Sequence, residues 1–139
     1  MADLTKSLTT NLTITEQNYS SPYLNTFDPN GSAAPLPVLK WICTSTPTTA
    51  ITQIVFLNTT TGDTITVSSL AMDSIGDYLE IDTEEMTVKV SHDGDASVEV
   101  DFTGVFPRFI SGSNSYSVTI TGSTIWDLTQ TITYYPLYL

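Results

Sequence analysis

The chain has little of three residue types on which much chemistry depends. Its 139 residues include one cysteine, Cys43, one histidine, His92, and four cations, Lys6, Lys40, Lys89 and Arg108. A single cysteine excludes an internal disulfide, so the fold does not rely on an oxidising compartment. One histidine and one cysteine cannot supply the nitrogen and sulfur ligands of a zinc site. Four cations against 15 acidic residues leave a net charge of −11, which repels a phosphate backbone and disfavours nucleic acid. There is no apolar run of roughly 18 residues, so no membrane-inserted helix is expected. The opening MADLTKSLTTNLT lacks the apolar stretch of a secretory signal.

Hydroxyl side chains are abundant instead: 25 threonines and 15 serines. Threonine is β-branched yet polar and suits strands with one wet face. The stretch 76–122 carries the plainest pattern. Leu79 and Ile81 alternate with Tyr78, Glu80 and Asp82, and after a turn at 83–85 the residues Met86, Val88 and Val90 resume the period of two. Val98, Val100 and Phe102 follow a polar tip, and Tyr116, Val118 and Ile120 follow the turn 111–114. Gly, Asp and Asn break the pattern at each turn, which reads as consecutive antiparallel strands.

Other strands are expected at 38–43, at 51–58, at 65–67 and around Trp126 to Tyr134, with a weak one at Leu8, Leu12 and Ile14. Eight or nine short strands and no amphipathic helix predict an all-β antiparallel sandwich. Its core is expected to include Val55, Phe56, Leu79, Ile81, Val88, Val100, Val118, Ile120 and Ile132. The sandwich domain is assigned to 37–139 and an extended N-terminal arm to 1–36. Between 18 and 37 four prolines exclude a helix or a central strand. Tyr19, Tyr23, Leu24 and Phe27 on that arm would form an exposed apolar strip, which marks a partner contact.

Four clusters invite a chemical reading, and each has a plainer one. His92 could serve a nucleophile, but it lies in a turn and no G-x-S-x-G elbow exists. Glu80 and Asp82, about 7 Å apart on one strand, have the spacing of glycosidase carboxylates, and any acidic strand produces the same pair. Asp93 and Asp95, with Glu99 or Asp101, offer oxygen ligands for calcium, without the usual loop spacing. Trp41, Trp126, Tyr134 and Tyr135 could stack on sugars, although Trp41 and Trp126 share faces with apolar neighbours and read as core. No catalysis and no cofactor are therefore expected.

Two stretches carry a family resemblance. NGSAAPLPVL at 30–39 and GDYLEID at 76–82 are followed by a hairpin, then Phe106-Pro107, a turn at Gly112 and Asn114, and a closing strand ending near Tyr134. Their order and spacing over about residues 30–139 resemble the C-terminal β-sandwich of distal tail proteins, tail components of long-tailed bacteriophages. The resemblance implies a structural protein of the virion, assembled in the host cytoplasm. It would contact copies of itself and other tail proteins, and in that family the sandwich also carries or meets host-binding proteins. One departure is plain: the family has a large ring-forming N-terminal domain, whereas only about 30 residues precede the match here. Two other readings are a virion module that binds a host receptor or glycan and a capsid decoration protein. Burial of the tryptophans discriminates assembly from sugar binding.

Overall fold

The computed structural model describes residues 10–17, 22–29, 33–122 and 127–134. These form eleven strands: β1 (Thr10–Gln17), β2 (Tyr23–Phe27), β3 (Val38–Cys43), β4 (Gln53–Asn58), β5 (Asp63–Val67), β6 (Tyr78–Asp82), β7 (Thr87–Ser91), β8 (Val98–Glu99), β9 (Thr103–Gly104), β10 (Asn114–Thr121) and β11 (Asp127–Tyr134). One sheet has the order β1-β11-β3-β6-β7-β8 and the other β2-β10-β4-β5-β9. Every pairing is antiparallel. The all-β sandwich expected from the alternation is the fold.

The connectivity is more specific than that. Without β7 and the two-residue β8 and β9, eight strands remain. They pair first with last (β1 with β11), second with seventh (β2 with β10), third with sixth (β3 with β6) and fourth with fifth (β4 with β5). That is one long hairpin rolled into two sheets, the jelly-roll arrangement.

The strands β3 to β7, β10 and β11 bury the side of the pleat that faces the other sheet. Leu39, Trp41 and Cys43 of β3 point inward with Leu79 and Ile81 of β6, against Ile54 and Phe56 of β4 and Tyr116, Val118 and Ile120 of β10. Aromatic rings tie the sheets together: Trp41 meets Phe56 at 6.1 Å, and Phe27 meets Tyr134 at 5.1 Å, both edge-on. The interior also carries a polar hub. Gln130 Oε1 accepts from Trp41 Nε1 at 3.1 Å and from the Tyr23 hydroxyl, while its Nε2 donates to the Tyr116 hydroxyl at 3.1 Å. A satisfied buried amide of this kind favours one register of the two sheets over a slipped one.

Four sequence expectations are corrected. Residues 23–27, assigned by sequence to the extended N-terminal arm, form an edge strand paired with β10. Pro22 and Pro29 flank a proline-free window of six residues, long enough for an edge strand. Residues 10–17 likewise pair along their whole length with β11, so the sandwich begins well before residue 37. Val55 is half-buried on the outer face of β4, because the inward positions belong to Ile54 and Phe56. The alternation at 98–102 is not one strand. β8 holds only two residues, after which the chain crosses from the edge of one sheet to the edge of the other, where β9 pairs with β5.

Candidate functional site

Two of the exposed large apolar side chains, Leu36 and Met86, meet at one end of the sandwich. A groove of about 340 Å³ is lined there by residues of 34–36, by Thr83 and Met86 of the β6–β7 turn, and by 106–109. Of this lining Leu36 is 52 % exposed and Met86 63 %, while Val105 and Ile110, which flank 106–109 in sequence, are 53 % and 42 % exposed. On a protein of net charge −11 an apolar groove of this kind is a candidate contact surface.

Both walls of the groove are held by polar side chains. On one side Thr83 donates its hydroxyl to Pro37 O at 2.7 Å, and its amide bonds the same carbonyl at 3.1 Å. The turn that carries Met86 is set by Asp82, whose Oδ1 accepts from the amides of Glu84 and Glu85 at 3.0 and 2.9 Å. Met86 itself, expected to begin a strand, closes the turn with φ of 56°. Few residues with a Cβ adopt that conformation.

On the other side, 106–110 has no sheet partners and is held by two buried asparagines and one acid. Asn114 Oδ1 accepts from the Ile110 amide at 2.9 Å, and its Nδ2 donates to the carbonyls of Ile110 and Gly112 at 3.0 Å. Asn58 donates to Arg108 O at 2.9 Å. Asp63 accepts from the Arg108 amide at 2.9 Å and from its Nε at 2.8 Å. Those Arg108 hydrogen bonds keep the Asp63 carboxyl below its ordinary pKa. Phe109 is buried against Phe56 and Phe27, while Val105 and Ile110 face outward.

The structure redistributes the residues singled out by sequence. Tyr23 and Phe27 lie in the subunit's own core, at 7 % and 3 % exposure, so the expected apolar strip is not one surface. The cause is the pleat: Leu24, between them, is 75 % exposed and borders another cleft with Asn25, Thr59 and Ser115. Tyr19 lies outside the described residues, as do Trp126 and Tyr135. Trp41 is fully buried and Tyr134 nearly so, which removes both from a sugar platform. Glu80 faces Lys40 and Lys89 in register across β3, β6 and β7, and Lys89 faces Glu99 on β8. Alternating charge across the outer face supports the sheet and accounts for Glu80 without catalysis.

Asp93 does meet other acids, but Asp73 and Asp77 rather than Asp95, Glu99 or Asp101. Single oxygens of the three lie within 4.8 Å of one another. The fully buried Asp77 is the knot of this loop cluster. Its Oδ2 accepts from the amides of Asp73 and Ser74 at 3.0 and 3.1 Å, and its Oδ1 from the Asp93 amide at 2.9 Å. Burial pushes its pKa up, but the amides of Asp93, Asp73 and Ser74, with His92, outweigh that and hold it below the ordinary value. His92 Nδ1 lies 3.7 Å from Asp77 Oδ2. Loop closure by a carboxylate accounts for the burial of Asp77.

Sequence reasoning missed Leu36, Met86 and Val105 as surface residues. The signal was present in part: Leu36 sits between two prolines, which prevents pairing on both sides. No protein-family profile, curated protein or solved structure matches this chain.

Proposed function

We propose that this protein is a structural component of a bacteriophage particle, of the tail or tail tip, that acts by forming interfaces with copies of itself and with neighbouring subunits. The end groove carries the reading. It presents Leu36 and Met86 on walls fixed by Thr83, Asn58, Asn114 and Asp63, so little ordering entropy is lost when a partner docks. The sequence resemblance over about residues 30–139 supports the assignment to a tail. Jelly-roll sandwiches occur in viral capsid and lectin domains, an analogy of fold that assigns no function by itself. Leu24 on the outer strand β2 adds a second contact. The reading assigns no reaction to His92, whose Asp77 contact belongs to a loop knot.

The test uses particles assembled with a chain carrying both Leu36→Asp and Met86→Asp. Both side chains are exposed, so thermal stability of the free chain should stay within about 0.5 kcal/mol of the parent. Incorporation, followed by antibody labelling of intact particles, should fall sharply from the tail or tail tip. Unchanged incorporation would overturn the groove as an interface, and parent-chain label on the head would replace the tail with capsid decoration.

A further inference from the structure

A second cavity, of about 460 Å³, lies on the flank of the sandwich, where the chain crosses from β8 to β9. We propose that it binds a neutral saccharide. This inference does not depend on the virion reading, since a single free chain contains the whole site.

The lining chemistry is what a sugar requires. Thr66, Ser68 and Thr103 bring hydroxyls, and Glu99 and Asp101 bring carboxylates. These groups accept and donate to the hydroxyls of a pyranose, and carboxylate acceptors form the stronger kind of hydrogen bond. Phe102 supplies an apolar face: it is 37 % exposed although Phe106 packs edge-on against it at 4.9 Å. The volume falls in the roughly 300–1,000 Å³ typical of small-molecule sites. Two carboxylates on a protein of net charge −11 select against anionic sugars.

The wall is fixed before any ligand arrives. The Val100 amide bonds Val88 O at 3.0 Å in one sheet, and the Val105 amide bonds Thr64 O at 2.9 Å in the other. Val100 packs against the core, while Glu99 and Asp101 on either side of it are exposed. Gly104 presses so close to β5 that a Cβ there would sit 2.2 Å from Thr64 O, and its φ is +94°. On the opposite wall Ser69 holds φ of 58°, with Ala71 at 52° two residues on. Residues with a Cβ keep that conformation only when their surroundings impose it, and such positions gather at binding sites.

The experiment is an amide-resonance titration of the full chain with methyl glycosides of glucose, galactose, mannose and N-acetylglucosamine. Sialic acid and trilysine serve as controls. At least one neutral glycoside should shift amides of 66–69 and 99–103 at about 10 mM, above the millimolar affinity a single shallow pocket supports. Phe102→Ala should weaken that glycoside about tenfold, with the rest of the spectrum unchanged, and Phe102→Trp should retain it. The assignment is overturned if no neutral glycoside shifts those amides. Shifts that persist in full in Phe102→Ala also overturn it. A response to trilysine alone would make the flank a site for basic peptides instead.

Discussion

Residues 87–91 and 98–102 carry the same alternation of apolar and polar side chains, and they fold differently. In β7 the pattern is obeyed: Val88 and Val90 are 3 % and 2 % exposed. In the later stretch Val98 is 58 % exposed, Phe102 is 37 % exposed, and Val100 alone of the three packs on the core. The difference lies in what each stretch has beside it. β7 sits between β6 and β8 and faces the second sheet, whereas β8 is an outer strand and the chain leaves it after two residues. A period of two says which side chains share a face. It does not say whether anything covers that face.

The sharpest way to break this comparison is to truncate one side chain packed beside β7 and one in the later stretch. Ile81, on β6 beside Val88, is 1 % exposed, and Ile81→Ala should cost about 2–5 kcal/mol through the cavity it leaves. Val98→Ala should stay within about 0.5 kcal/mol of the parent. Denaturant unfolding of the two variants measures the difference directly. Similar losses at both positions would mean that the crossover is as well covered as the sheet.

Alkaline pH sharpens the contrast from the interior side. Burial pushes the Cys43 thiol up to about 12 from 9.0, and the carboxylates of Asp77 and Asp73 add to the effect. The unfolded chain therefore releases this proton first. Above pH 9 the unfolded state binds fewer protons than the native state, so stability falls as pH rises. The loss from this group should reach about 1.4 kcal/mol at pH 10, one unit above the unfolded value. Cys43→Ser removes the thiol, and its stability should show a flatter slope over pH 9–10 than the parent. An identical slope would mean that Cys43 does not titrate in this way.

Most of the fold was legible because its strands are regular. Leu39, Trp41, Leu79, Ile81, Val118 and Ile132 all point inward as their spacing implies. The pairing was not legible, since alternation gives no partner: nothing local in Thr10–Gln17 says that it joins Asp127–Tyr134. The surface sites were hidden for a related reason. Met86 fits the phase of Val88 and Val90 in the sequence, yet the turn set by Asp82 takes it out of the strand. Phe102 fits the phase of Val98 and Val100, and the crossing between sheets leaves it at the rim of a cavity. A turn contact decided the first case and a long-range pairing the second, each over the alternation.

The smallest expected effect separates stability from contact at Met86. Its φ of 56° places a side chain with a Cβ in the left-handed region, which costs about 1 kcal/mol relative to glycine. The side chain recovers little of that by burial, since it is 63 % exposed on the groove. Glycine removes the steric strain, although it also gives the unfolded chain more freedom and so loses part of the gain. The net result for Met86→Gly should be a stabilisation of up to about 1 kcal/mol, or a rise of a few °C in Tm. If the groove is an interface, the same substitution removes one of its apolar contacts and should lower incorporation into particles. A more stable chain that assembles less well is the outcome this reading requires. A destabilised chain would show that Met86 packs on its own subunit, and a stabilised chain with full incorporation would leave the methionine no part in the contact.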